Sequence, residues 1–127
     1  MPARLEDPHT LALALGAART ALGISILAAT ETALKAMLFG GTNETGRAVA
    51  RLVGARDLTL GVATLLAADR PRTLQRLTAA GGALDAADTF ALALAARSPG
   101  TRTAGIGGVL FAGSAAVLCG WTARRLA

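Results

Sequence analysis

Four mostly apolar segments, separated by short polar stretches, constrain the fold of this chain most strongly. They cover residues 10–30, 48–68, 74–96 and 103–122, and the first could continue to residue 39. An α-helix of about 20 apolar residues is long enough to cross roughly 30 Å of hydrocarbon. We therefore predict an all-α fold, a four-helix transmembrane bundle, with residues 1–127 forming a single integral membrane domain.

The stretches between these segments contain residues that end helices. Residues 40–46 include three glycines, and residues 97–102 contain a Ser-Pro-Gly turn. Pro71 is suited to the first turn of the third helix. Trp121, followed by Arg124 and Arg125, is typical of a helix end at a membrane interface.

The types of apolar residue in the chain favour a membrane location. Hydrophobic residues make up 53% of the chain, but there are only three Phe, one Trp and no Tyr, beside 15 Gly. A soluble core usually relies on large aromatic side chains, whereas small residues let membrane helices approach closely. A soluble, Ala-rich bundle stays open as an alternative, because Arg56 and Asp57 each cost about 2.5–3.5 kcal/mol at the centre of an inserted helix.

Basic residues near the segment ends indicate the orientation. One side would carry six of them and the other four: Arg4, Arg70, Arg72, Arg76, Arg124 and Arg125 against Lys35, Arg47, Arg97 and Arg102. Because basic residues are enriched on the cytoplasmic side, we expect both termini in the cytoplasm. The preference for Arg over Lys, with abundant Ala and Gly, favours a bacterial source and hence the inner (plasma) membrane.

Helical periodicity places ionisable side chains on one face of each of three segments. These faces otherwise carry Gly, Ala and Thr, and the ionisable residues are Arg19, Arg56, Asp57, Asp85 and Asp88. The fourth segment carries a stripe of small residues instead: Gly105, Gly108, Ala112, Ala116 and Cys119. Charged groups in membrane helices face the bundle interior and pair with one another, so we predict a buried Arg/Asp cluster.

The distance from the turn at Pro71 predicts partners within this cluster. Arg56 lies 15 residues before Pro71 and Asp85 lies 14 residues after it, so both lie about 21–23 Å from the turn at 1.5 Å per residue. Asp88, one turn further, is also within reach of a long Arg side chain. We expect the second and third segments to be antiparallel neighbours, with Arg56 paired to Asp85 or Asp88.

Asp57 is expected either to turn towards Arg19 or to repel Asp85 into its protonated form. Two Arg against three Asp leave an excess of one negative charge, and a proton-holding carboxylic acid in an apolar cavity is a candidate general acid.

The function class stays open between three readings. The first is an accessory or small-molecule-binding membrane protein, in which Arg19, Arg56, Asp57, Asp85 and Asp88 would contact the ligand. The second is a membrane-embedded enzyme acting on an apolar substrate, with catalytic candidates Asp85, Asp88, Arg56 and Asp57. The third is a proton-linked small transporter. In each reading, paired ions that only fix helix register remain the alternative role of the cluster.

Expected partners are membrane lipids, an apolar small molecule, and a second copy or another membrane protein. We expect no nucleic acid, because the Arg residues form no continuous stripe with interleaved aromatic residues. Cys119 and His9 are the only residues of their types, so no metal site or cofactor is predicted. Residues 39–49 are similar to a phosphate-binding turn, but Asn43 replaces its middle glycine and no doubly wound sheet can follow.

Two sequence patterns suggest relationships. Residues 15–23 and 53–61 resemble each other, with a seven-residue spacing between glycines in both, so an internal duplication and chance both stay open. The Gly-Ala-Arg-Asp block at 54–57, followed by Asp-Ala-Ala-Asp at 85–88, resembles a family of small four-helix bacterial integral membrane proteins, a domain of unknown function. This resemblance implies the membrane fold over nearly the whole chain and implies no catalytic residue.

Overall fold

The computed structural model describes residues 6–41 and 43–127 and contains only helices there, with no strand in those ranges. The expected all-helical fold is therefore confirmed. The helices are α1 (Pro8–Ala28), α2 (Thr30–Ala36), α3 (Glu44–Leu66), α4 (Pro71–Ala95) and α5 (Arg102–Arg125), with a 3-10 turn at Pro99–Thr101.

The first predicted segment corresponds to α1, and its possible continuation to residue 39 forms the separate helix α2. Ala29 leaves the helical region, with φ −141° and ψ 60°, and α2 begins at the next residue. The Thr30 hydroxyl donates to the carbonyl of Ile26, a back-bond that tends to bend helices. The short α2 then lies against α3, because Glu31 pairs with Arg47 at 3.2 Å. A continuous helix to residue 39 is therefore wrong.

Helices α3 and α4 begin a few residues before the apolar segments predicted for them. The Asn43 side chain accepts a hydrogen bond from the Gly46 amide at 2.8 Å, so α3 begins at Glu44 rather than at residue 48. Pro71 occupies the first turn of α4, where its missing N–H costs nothing, so this helix begins at Pro71 rather than at residue 74. The polar residues that resembled a phosphate-binding turn thus include a helix cap.

Helices α1 and α3 pack antiparallel through four glycines. A Cβ at Gly23 would lie 2.5 Å from the Leu58 amide nitrogen and 2.6 Å from the Gly54 carbonyl oxygen. Gly61 lies equally close to the backbone of α1 at Gly16 and Thr20. Only glycine permits this backbone-to-backbone contact. The two similar segments, 15–23 and 53–61, are therefore the two sides of one helix–helix interface.

Helices α4 and α5 form the second closely packed pair, also antiparallel. Gly105 of α5 lies against the backbone of Ala96, and a Cβ there would lie 2.5 Å from its nitrogen. Towards the other end, Gly82 faces Cys119. Helices α3 and α4 are joined by a short turn and contact each other, but each packs mainly on a different helix. The expectation that they are antiparallel neighbours is confirmed, although the closest packing of each is with another helix.

One end of the bundle collects the start of α1, the α3–α4 turn and the C-terminus. Ala12, Ala67 and Leu74 form a small apolar core there, and Leu126 packs against it. His9 lies with its Nε2 2.9 Å from the carbonyl oxygen of Ala68. These segments therefore lie at the same end of the bundle, as expected from the sequence; Arg4 lies outside the described residues.

Small side chains make up most of the interior of the described helices. The interior of the described helices is made mainly of Gly, Ala, Thr and ionisable residues. Sixteen large hydrophobic side chains of the described residues are exposed, among them Leu52, Leu66, Phe90, Leu110, Phe111 and Val117, whereas only Leu11, Ile26 and Leu74 are buried. Two helical stretches, Pro8–Ala28 and Pro99–Arg125, are long and apolar enough to cross a membrane on length and composition alone.

Candidate functional site

The five predicted ionisable residues come together near the middle of their helices. Arg19 extends from α1, Arg56 and Asp57 from α3, and Asp85 and Asp88 from α4. They lie between the α1–α3 pair and the α4–α5 pair, and their ion pairs connect the two. We call these five residues the Arg/Asp cluster.

Arg19 holds the inner part of the cluster. Its Nη1 donates to Asp57 Oδ1 at 3.1 Å and its Nη2 donates to Asp85 Oδ2 at 2.6 Å. The three side chains are only 12%, 6% and 9% exposed. Gly81 has no side chain to displace the guanidinium, since a Cβ there would lie 3.2 Å from Nη2. One guanidinium thus connects three helices.

Arg56 and Asp88 form the outer part of the cluster. The guanidinium meets the carboxylate with two hydrogen bonds, Nη1 to Oδ1 at 3.0 Å and Nη2 to Oδ2 at 2.6 Å. Such two-point pairing is the strongest geometry for these groups. Arg56 therefore pairs with Asp88, one of its two expected partners, and not with Asp85. These side chains are 29% and 32% exposed, so the cluster opens to the surface between α3 and α4.

Asp57 links the two parts. Its Oδ1 accepts from Arg19 and lies 3.3 Å from Arg56 Nη2. The expectation that Asp57 turns towards Arg19 is confirmed. Among the described residues, no buried side-chain nitrogen or oxygen lacks a hydrogen-bond partner.

Cys119 adjoins the cluster, and sequence reasoning did not include it. Its Sγ lies 3.9 Å from Asp85 Oδ2, within reach of a weak S–H hydrogen bond. The available signal was its position on the small-residue stripe of α5, which the structure turns towards α4. Across the described ranges, no group of three or more His, Cys, Asp or Glu is arranged to hold a metal ion.

Two surface depressions lie away from the cluster. The larger, of about 600 Å³, is a groove on α4 and α5 lined mainly by Ala and Gly, with Gln75 and Arg124 towards one end. The smaller, of about 310 Å³, lies between α2 and the first turns of α3, beside Arg47 and Arg51. No cluster residue lines either depression, so a bound molecule in the groove would not touch the five predicted ligand-binding residues.

Comparison of the chain with models of protein families, with curated proteins and with solved structures finds no match.

Proposed function

We propose that this protein is an integral membrane protein that crosses the bacterial inner membrane four times and acts as a binding or accessory subunit. The observation that carries the proposal is the outward position of many of its large hydrophobic side chains around an interior made mainly of small and ionisable residues. In water this arrangement would leave many large apolar side chains in contact with solvent. In a bilayer it places the apolar surface against lipid and the charges against one another.

The two apolar stretches support insertion more strongly than their composition alone. The core helix of a soluble protein passes the same length and hydropathy test, but it is mostly buried. Here only 28% and 22% of the two apolar windows are buried within the bundle. The remaining surface needs an apolar environment.

Helices α3 and α4 fit the same environment although their charges lower their hydropathy. They contain 23 and 25 residues, which gives lengths of about 35 and 38 Å at 1.5 Å per residue. The charges near their centres, Arg56, Asp57, Asp85 and Asp88, all pair inside the cluster. Insertion of these two helices together with α1 would therefore expose few unpaired charges to lipid.

The cluster geometry favours a binding or accessory role over acid/base catalysis. A general acid must hold a transferable proton, whereas Asp57, Asp85 and Asp88 each accept a charge-assisted hydrogen bond from a guanidinium. The cluster thus suits a framework that fixes helix register. The Ala- and Gly-lined groove of α4 and α5 is a better place for an apolar molecule or lipid chain.

Membrane insertion is tested by carbonate extraction and by reporter fusions after residues 41, 70 and 98 and at the C-terminus. We expect retention in the membrane, with the fusions after residue 70 and at the C-terminus reporting cytoplasm and the other two reporting the opposite side. Release by carbonate would refute the proposal and favour a soluble bundle.

Ligand binding is tested by mass spectrometry of small molecules that co-purify with the protein. Gly120→Leu fills the groove, because a Cβ at Gly120 meets nothing within 4 Å, and we expect it to reduce the amount of bound molecule. The matched control is Ala21→Leu, on an exposed part of α1 that does not line the groove. Co-purification of a stoichiometric protein with no small molecule would favour the accessory role instead.

A further inference from the structure

The outer part of the cluster is open on the surface of the bundle at the middle of the spanning helices. Arg56 and Asp88 pair with each other, yet nearly a third of each side chain is exposed at the edge between α3 and α4. Within a bilayer this position faces hydrocarbon. Ionisable groups at that depth normally face the bundle interior or a water-filled cavity, because contact with lipid is costly.

We infer that a second copy of this chain covers this edge, forming a two-fold symmetric dimer in the membrane. The inference rests on the membrane insertion proposed above. We call the surface the α3–α4 edge; helical spacing places on it Leu52, Arg56 and Ala63 of α3, and Ala80, Asp88 and Ala91 of α4.

The charge arrangement of this edge is complementary to itself. A two-fold axis along the membrane normal keeps each residue at its depth and places α3 of one copy opposite α4 of the other. Arg56 of one copy then faces Asp88 of the second, and Asp88 faces the second Arg56. The four charges form a closed ring in which neighbouring charges have opposite signs. The Arg56–Asp88 pair of each copy is then covered by the same pair of the other copy.

The residues around the ion pair permit close approach. Ala80 and Ala91 are exposed on α4 on either side of Asp88, and small residues let membrane helices come together. Leu52, one turn from Arg56, is also exposed and would pack on the partner copy. A lipid chain could cover the alanines but offers no opposite charges for the ion pair.

Thiol cross-linking in membranes tests the dimer, in a Cys119→Ser background that keeps a hydrogen-bond donor beside Asp85. Arg56 and Asp88 lie at the same depth on antiparallel helices. Leu52, four residues before Arg56, therefore lies at the depth of residue 92, four residues after Asp88. Two differently tagged chains, one with Leu52→Cys and one with Ala91→Cys, should give a cross-linked heterodimer with a short bifunctional reagent. The matched control replaces Ala91→Cys by Ala80→Cys, which lies on the same edge but is displaced by about 18 Å in depth, and the cross-link should be lost.

A second measurement uses the molar mass of the protein in lipid nanodiscs. The natural sequence should be dimeric, and Arg56→Leu combined with Asp88→Leu should halve the mass, because no charge then remains to be covered. A monomeric natural protein, or equal cross-linking of the level and displaced pairs, would overturn the inference. If the double variant does not fold, the cross-linking comparison decides alone. Carbonate-resistant chains that fail to cross-link refute only the dimer, whereas chains released by carbonate refute the membrane proposal itself.

Discussion

Replacing Arg19 by methionine tests the cluster most directly. Arg19 Nη2 lies 2.6 Å from Asp85, whose only other side-chain hydrogen-bond partner among the described residues is Cys119 at 3.9 Å. Asp57 retains Arg56 at 3.3 Å. The substitution therefore leaves one buried carboxylate, Asp85, without a cation. Breaking a buried pair in this way costs about 3–5 kcal/mol.

The second arm of the experiment removes the stranded charge. Asp85→Asn in the Arg19→Met background leaves no uncompensated carboxylate, so the double variant should lose much less stability than the sum of the two single variants. Coupling energies of residues in contact reach about 0.5–3 kcal/mol, and the near-complete burial of this pair predicts a value in the upper part of that range. The assay is reversible unfolding in mixed micelles, followed by circular dichroism.

A matched pair of cycles provides the control. Arg56→Ala with Asp88→Asn should be coupled, because the two side chains share two hydrogen bonds. Arg56→Ala with Asp85→Asn should be coupled less, since these residues connect only through Asp57 and Arg19. Additivity of Arg19 and Asp85, or stronger coupling of Arg56 to Asp85 than to Asp88, would refute the arrangement of charges described above.

Two further predictions concern helix packing and capping. Gly23→Ala should destabilise the protein by about 1–3 kcal/mol, because its Cβ would meet the backbone of α3. The control, Gly120→Ala, adds a Cβ in open space and should be neutral or stabilising. Equal unfolding midpoints of the two variants in micelles would contradict this packing. Hydrogen bonds from Thr10 lower the pKa of Asp7 at the start of α1. The stability that Asp7 contributes is therefore present above the pKa that Asp7 has in the unfolded chain, and it is lost as the pH falls through the lower pKa of the folded protein. Asp7→Asn keeps a capping side chain and should flatten this part of the curve of melting temperature against pH; an unchanged curve would contradict the role of Asp7.

The positions of the charged residues could be predicted because they follow from two regular features of the α-helix, its repeat and its rise per residue. The 3.6-residue repeat determines which side of a helix carries Arg56, Asp57, Asp85 and Asp88. Their distance from the turn at Pro71 then determines their depth, so level residues on the two helices could be identified. The same reasoning could not decide whether Arg56 pairs with Asp85 or with Asp88, because Asp85 is bound by Arg19 from a third helix.

The pairing of the helices could not be predicted by the same reasoning. A short connection between α3 and α4 favours contact, but the closest approach occurs where glycines remove side chains from both surfaces. The glycines at 16, 23, 54 and 61 were visible in the sequence, yet nothing in their spacing says which helix each one faces. The break at Ala29 and the early start at Glu44 depend on a local back-bond and a side-chain cap, which the apolar pattern does not record.

The α1–α3 interface connects the repeated segments to the charge cluster. Gly16 corresponds to Gly54 and Gly23 to Gly61, and a Cβ at each would press on the opposite helix. The residue three positions after the first glycine is Arg19 in α1 and Asp57 in α3, and these two side chains pair at 3.1 Å. The two helices therefore have glycines at equivalent positions of their interface and charges of opposite sign at the equivalent positions 19 and 57. The second hydrogen bond of Arg19 extends this pair to Asp85, so the same interface also holds the α4–α5 pair in place.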